Sequence, residues 1–505
     1  MKKIYITVLA LSLIVMSSCD SGFDDLNTSK TGATSLNPAL LLNNAIINSS
    51  PHQGQLNFEL GIVQQLISPN TGVLEGANFN KNNPNSSIQN WQGYYRNVIK
   101  YTADIIERTS QDPARTNLLN KARIIQAYAF MVITDTYGSI PYEEGGKGFI
   151  DQNFFPVYQN QQSIYQGVIE ELKGASDALD PGLPVENDVL FAGDIAKWKK
   201  FGYSLLLRAG MRLSEVDQNL AQTTVAAAFA GGVILVNADN AIVKHDGNYV
   251  NNVGNVLNGT EAANFYLAKP FVDALKTNVD PRLSSIAVRY VGANSGPAQV
   301  AGVATTAPDN QYGLTMGSTD GEADISGATL PGGGTRYAYS QVDRNRLAKR
   351  TSPLFLVTAA QNNLLLAEAR FRGWINTGTA VEYFTKGIIA HMDQMASYDA
   401  AAAVAAGARD TYVASRVPLF GGNELKEINY EYWIASFLNG QEGWANFRRS
   451  AFPALAPNPF PGRTVEWITR LPYPPSELLV NSTNVQAAIG EQGPDALDTK
   501  VWWDK

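Results

Sequence analysis

Along most of this chain apolar residues recur at intervals of three and four, the repeat of a helix with one buried face. Tyr94, Val98, Tyr101 and Ile105 step in this way and predict one helix face. From Asn120 to Tyr137 the apolar side chains fall on more than one face, with Ile124, Tyr128 and Met131 on one and Ile125, Ala129 and Val132 on another. A helix apolar all round belongs among other helices. Tyr137-Gly138, with Pro141 close behind, marks its end. Tyr158 to Leu179 and Trp198 to Leu213 read as further helices, the second through Trp198, Phe201, Leu205 and Ala209.

From about Gly231 to Thr351 this period fades and Gly, Asn, Thr and Pro become frequent. Gly332–Gly334 and Asn248–Asn258 read as loops, and Ile286–Val291 reads as a short strand. Helical spacing returns at Leu364, Ala367, Phe371 and Trp374, again at Val381, Phe384, Ile388, Met392 and Met395, and from about Leu425 to Asn439, where Tyr430, Trp433 and Phe437 share a face. The tail is Pro-rich and aromatic (Pro472, Pro474, Pro475, Trp502, Trp503). Helices of similar size bracketing a loop-rich middle predict a mainly α fold of stacked helix pairs, with short strands on one side.

One apolar run is of another kind. Ile4 to Met16 follows Lys2-Lys3 and leads into Ser17-Ser18-Cys19. The order basic, apolar, small is that of a secretory signal peptide, and the run falls short of the roughly 20 residues that cross a bilayer. Cys19 is the only cysteine, so no disulfide forms within the chain and packing must hold the fold. Its position resembles the lipobox of bacterial lipoproteins. That resemblance implies removal of residues 1–18 and acylation of Cys19, each buried CH₂ contributing about 0.8 kcal/mol of membrane affinity. The competing reading is an ordinary cleaved signal with a stray cysteine. Residues 19–35 are acidic and rich in small side chains, a flexible tether and, behind a lipidated cysteine, a surface-export signal. The expected divisions that follow are 36–230, an N-terminal helical scaffold; 231–350, a loop-rich ligand side; and 351–505, a C-terminal helical scaffold with its tail.

The chain has 505 residues, 45% hydrophobic and 17% charged, a globular balance. A net charge of −7 argues against nucleic acid or anionic lipid as a partner. Only three histidines occur, His52, His245 and His391; none are spaced as a zinc motif, so they read as structural or exposed and no metal is expected. Gly332–Gly334 lacks the Lys-Ser/Thr of a phosphate loop, and no Gly-x-Ser-x-Gly elbow occurs, so neither a catalytic residue nor a cofactor is expected. A glycosidase needs two carboxylates held across a cleft. Glu143 and Glu144 are adjacent in a Gly-rich turn, where neighbours point apart, and read as a solvated loop.

Neutral sugars are held by flat aromatic faces with amides and hydroxyls beside them. The chain carries 22 Tyr and 8 Trp. Those in Gly/Asn loops are the candidate ligand contacts: Phe79 and Asn80 in a run leading to Trp91, Tyr249 behind His245, Tyr312, and Tyr337 and Tyr339 after the glycine run. The competing reading for each ring is that it pins its own loop to the scaffold.

Five segments then add up to a family. They are Lys121–Phe130 (KARIIQAYAF) with Asp135–Tyr142 (DTYGSIPY), Trp198–Ser214 (WKKFGYSLLLRAGMRLS), Leu364–Trp374 (LLLAEARFRGW), Asn429–Trp444 (NYEYWIASFLNGQEGW) with Phe447-Arg448-Arg449, and Arg470–Glu477 (RLPYPPSE). With Cys19, these resemble, in order and from end to end, the SusD/RagB family of nutrient-binding outer-membrane lipoproteins, in a divergent SusD-like branch. The resemblance implies tetratricopeptide-like helix pairs under a ligand-binding side of loops and small strands. It implies an outer-membrane, lipid-anchored protein facing the cell exterior, which does no chemistry. Such a protein delivers oligosaccharide to a TonB-dependent SusC-like barrel. The alternatives are a peptide-binding member of the same system, a lipid-anchored glycoside hydrolase, or a helical scaffold that binds only protein. No ligand residue carries over from the family. The motif charges Glu368, Arg370, Arg372, Glu442, Arg448 and Arg449 read as ion pairs and caps between packed helices.

Overall fold

The computed structural model describes residues 36–50, 53–259, 262–322 and 325–505. The expected signal peptide and tether, with Cys19, and His52 lie outside them. Thirteen helices of nine residues or more occur among the described residues: α1 Pro38–Asn48, α2 Lys100–Thr109, α3 Thr116–Tyr137, α4 Gln161–Ala178, α5 Ile195–Arg212, α6 Gln218–Gly231, α7 Lys269–Thr277, α8 Ala359–Phe371, α9 Ala380–Gln394, α10 Ala406–Phe420, α11 Glu424–Ala435, α12 Gly440–Ser450 and α13 Ser482–Gln492.

Their starts are set by side-chain caps. Asn160, Asp194 and Asp217 accept from the Ser163, Lys197 and Leu220 amides, while Thr358 with Gln361 and Thr379 with Glu382 form reciprocal capping boxes. Helix α3 stops at Gly138, whose φ of 81° suits glycine and whose missing Cβ leaves room for the Gln492 side chain. Gln492 Oε1 in turn accepts the Ser139 amide at 2.6 Å.

Helices close in sequence pack on one another: α3 on α4, α4 on α5, α5 on α6, then α8 on α9, α9 on α10 and α11 on α12. The mainly α, paired-helix architecture expected from the sequence is the one observed, and α5 against α8 joins its two halves. Helix α2 continues a short helix, Gln89–Tyr94, through a π-helical turn, Tyr95–Ile99. The extra residue in that turn rotates the face read from the sequence. Tyr94, Val98 and Ile105 are buried as expected, but Thr102 takes the inward place and leaves Tyr101 half-buried. The sequence raised no expectation for α1, α6, α7, α10 or α13.

Among the described residues seven short strands make three small antiparallel sheets: β1 Leu66–Ile67 with β3 Tyr266–Leu267, β2 Ala241–Val243 with β7 Leu354–Val357, and β5 Ala304–Thr305, β4 Ala287–Tyr290 and β6 Gln341–Val342 in that order. The strand expected at 286–291 is β4. Trp198, Trp433, Trp444 and Trp503 are among the largest fully buried side chains, and truncating any of them to Ala costs about 3–5 kcal/mol.

Helix-borne charges are spent on each other. Arg449 on α12 grips both oxygens of Glu368 on α8, at 2.7 and 2.8 Å. Arg212 on α5 reaches Asp135 on α3 at 3.2 Å and Glu442 on α12 at 2.9 Å. Burial alone would raise the Glu368 carboxyl, but Arg449 and Arg372 overcome it and hold the group at about 2. Arg448 lies flat against Trp444, its guanidinium 3.8 Å from the ring centre. His391 is buried with Arg282 Nη1 at 3.0 Å from its Nδ1; burial and that cation keep it neutral.

Candidate ligand-binding face

Strand β4 is the central strand of its sheet, and Arg289 on it is fully buried. Its guanidinium donates to the carbonyls of Ala338 (2.7 Å), Pro331 (2.8 Å) and Asn310 (3.3 Å). One side chain thus ties two loop segments to the sheet, 331–338 at both its ends and the turn at Asn310, and burial lowers its pKa from the ordinary arginine value. Held in this way, the 331–340 loop presents Tyr337 half-buried over Val288, Tyr290 and Ala293.

Polar groups surround that ring. The Arg336 guanidinium sits 4.3 Å from the ring centre, its Nη2 donates to the Tyr337 hydroxyl at 2.9 Å, and it pairs with Asp320. Burial raises the Asp320 carboxyl while Arg336 pulls it back. Gln299 Nε2 donates to the Tyr337 carbonyl at 3.0 Å, and Arg344 Nη2 donates to Gln299 Oε1 at 3.3 Å. The arrangement is a half-buried ring packed on Val288, Tyr290 and Ala293, with an ion-paired guanidinium over it and the Gln299 amide and Arg344 close by. That set can stack on an apolar ring face and hydrogen-bond a neutral polyol.

The other sequence candidates are placed unevenly. Tyr312 and Tyr339 join the same assembly through Ser340, whose Oγ accepts the Tyr312 amide at 2.8 Å and whose own amide donates to the Tyr312 carbonyl. Tyr339 is buried with Ile67, Tyr266, Leu314 and Met316. Tyr312 is half-buried, and Lys276 Nζ lies 4.4 Å from its ring centre.

Phe79 stacks on Phe460 at 3.8 Å and 9°. Asn80 turns inward, its Nδ2 donating to the Glu466 carbonyl at 2.9 Å. Asn78 Nδ2 donates to the Ser318 carbonyl, and Asn458 Nδ2 donates to the Ala77 and Asn78 carbonyls, so these loops are sewn together by amides. Trp91 sits in a nest of Tyr95, Tyr137, Tyr158 and Tyr473, 7% exposed. Tyr249 stands apart and exposed, on a turn that His245 and Asp246 close.

The sequence reading did not single out Phe460, Arg336, Asp320, Gln299 or Arg344. Phe460 lies in a Pro/Gly loop (Pro459-Phe460-Pro461-Gly462), so the rule that picked Phe79 would have found it. Nothing in the sequence marked the polar partners of Tyr337. Glu144, set aside as a glycosidase partner of Glu143, accepts from Asn153 Nδ2 and the Val157 amide and braces its own loop.

A family model described as starch-binding associating with outer membrane, of the SusD-like type, matches residues 29–474. No curated protein sequence matches the chain significantly. Among solved structures, a chitin-binding protein is 30% identical with a TM-score of 0.80, over 93% of this chain and 100% of its own. A Bacteroidetes protein described as AC2a SusD-like is 25% identical with a TM-score of 0.81, over the same shares. A chitin-binding SusD homolog from Flavobacterium johnsoniae, 23% identical with a TM-score of 0.75 over 93% of this chain and 98% of its own, shares the fold. This chain belongs to the SusD-like family, a family of carbohydrate-binding proteins associated with the outer membrane.

Proposed function

We propose that this protein is a non-catalytic receptor, lipid-anchored through Cys19 and facing the cell exterior, that hands oligosaccharide to a TonB-dependent SusC-like barrel. Its ligand is a neutral chitin-type oligosaccharide of β-linked N-acetylglucosamine, and Tyr337 with Arg336 and Gln299 forms the contact. The observation that carries the reading is the family match over residues 29–474. The 30% identity to a chitin-binding protein supports the ligand class. The face itself is consistent with a neutral ligand, because the Arg336 charge is already balanced by Asp320. Tyr312 and Tyr339, joined to it through Ser340, and Phe79 with Phe460, Asn80, Trp91 and Tyr249 are the further candidate contacts.

Titration calorimetry with chitohexaose and maltohexaose tests this, run beside chromatography of the sugars after long incubation. Saturable binding of chitohexaose with no shortened product is expected. Preference for maltohexaose would move the ligand class to starch. Shortened product that vanishes when a carboxylate becomes an amide would make the protein a glycosidase instead.

A further inference from the structure

The cations around Tyr337 are not alike. Arg289 is spent on three carbonyls and Arg336 on Asp320. Arg344 lies two residues past β6, half-buried, and pairs with no carboxylate among the described residues. Its Nη2 donates to Gln299 Oε1 at 3.3 Å and to the Tyr290 hydroxyl at 3.5 Å, two long bonds to neutral acceptors. Its Nε and Nη1 have no acceptor among the described residues.

Arg346, two residues on, shows what a structural arginine looks like in this stretch. Its Nε pairs with Asp343 at 2.6 Å, and its Nη1 and Nη2 donate to the Ala401 and Ser284 carbonyls at 3.0 and 2.8 Å. Each nitrogen of that guanidinium is used. Arg344 is held in place without being used up. Gln299 Nε2 donates to the Tyr337 carbonyl at 3.0 Å while its Oε1 accepts from Arg344, so one amide couples the guanidinium to the Tyr337 loop. The guanidinium carbon lies 5.8 Å from the Tyr290 ring centre, and Tyr337 packs on that same tyrosine. A ligand that reaches Tyr337 therefore meets a positioned cation with donors to spare.

Hydrogen bonds from an ionised donor are about twice as strong as neutral ones, so the guanidinium favours the strongest acceptor that a ligand carries. On a neutral, β-linked chain of N-acetylglucosamine that acceptor is the amide carbonyl of the N-acetyl group, ahead of the hydroxyl and ring oxygens. A glucose chain has no such group, and a donor left unpaired on binding weakens the complex. We propose that Arg344 is a specificity-determining residue of the sugar site, donating through Nε or Nη1 to an N-acetyl carbonyl and so separating N-acetylglucosamine from glucose at one position of the chain. The inference rests on the chitin reading above.

Titration calorimetry of the full chain with chitohexaose, cellohexaose and a β-linked hexauronate tests this, in wild type, Arg344→Gln and Arg344→Lys, with Tm recorded for each. Wild type should bind chitohexaose about tenfold or more tighter than cellohexaose. Arg344→Gln should lose about tenfold on chitohexaose and nothing on cellohexaose, at unchanged Tm. Arg344→Lys keeps the charge without the planar fork and should lose in the same direction. Equal loss on both sugars, or loss on neither, would make Arg344 a support of its loop and overturn the inference while leaving the chitin reading intact. Tighter binding of the uronate than of chitohexaose by wild type would assign the guanidinium to a carboxylate and overturn it too. Wild type that binds no chitohexaose would end the chitin reading and this inference with it.

Discussion

The helical scaffold and the loop-rich face use charge in opposite ways. In the scaffold, cations and carboxylates from different helices are buried against one another: Arg449 on Glu368, and Arg212 on Asp135 and Glu442. On the loop side, Arg289 is as deeply buried but answers to three carbonyls, and Lys276 and Arg336 lie over tyrosine rings. The first arrangement binds helix to helix. The second fixes the shape of a surface and sets cations over its tyrosine rings. Substitutions in one region should register in folding, and substitutions in the other in ligand affinity.

The largest expected effect breaks the scaffold pair. Arg449→Ala leaves the Glu368 carboxylate buried with only Arg372 and Asn429 beside it, which should cost about 3–5 kcal/mol. Urea unfolding followed by tryptophan fluorescence measures it. A loss below 1 kcal/mol would mean that the pair contributes no more than a surface ion pair.

The same pair predicts a pH signature. The Glu368 carboxyl falls from an ordinary 4.5 to about 2 in the fold. A depressed carboxyl stabilises the fold above its unfolded value, and that contribution is lost as pH falls from 4.5 through about 2. The stability gap between wild type and Glu368→Gln, on the order of 3 kcal/mol at neutral pH, should therefore close over that window. Comparing the two proteins cancels the buried carboxyls of Glu59 and Asp135, which burial shifts upward. His391 acts at higher pH. Held neutral, with its folded value well below 6.5, it favours the fold above 6.5, and it begins to cost stability as pH drops below that.

On the loop side the readout changes. Tyr337→Ala should weaken chitohexaose binding about tenfold, the loss of one aromatic face, with little change in Tm. Tyr339, two residues on and buried, should behave the other way, with Tyr339→Ala costing about 3 kcal/mol of stability. Equal effects from the two on both measurements would erase the distinction between a presented ring and a packed one.

Much of the scaffold was legible because its helices carry a strong period and strong stops: Trp198, Phe201 and Leu205 step inward, and Gly138 ends α3. Helix α10 was not, since Ala406–Phe420 mixes alanines with Arg409, Asp410 and Arg416 and shows no clean apolar stripe. The π turn at Tyr95–Ile99 was invisible because it shifts a face without altering composition. On the ligand side the sequence marked aromatic rings in loops, but not whether a ring is open. Openness depends on partners far along the chain: Phe460 over Phe79, Lys276 over Tyr312, and Tyr473 beside Trp91. Such pairings are set by the tertiary fold, and no local pattern encodes them.

The smallest expected effect is also the sharpest test of where the face ends. Tyr249 is the most exposed of the candidate rings, at 56%. Its turn is closed by backbone and neighbours, with Asp246 Oδ1 accepting the Asn248 and Tyr249 amides and His245 Nδ1 lying 2.9 Å from the Tyr249 carbonyl. The ring carries none of that, so Tyr249→Ala should change stability by no more than about 0.5 kcal/mol. Affinity for chitohexaose should also hold, because among the described residues the bonds of this turn run to its own neighbours and to Ser50, not to the Tyr337 assembly. A loss matching that of Tyr337→Ala in calorimetry would extend the ligand surface across to β2. Exposure alone, without a surrounding set of amides and balanced charge, would then be enough to make a tyrosine a sugar contact in this fold.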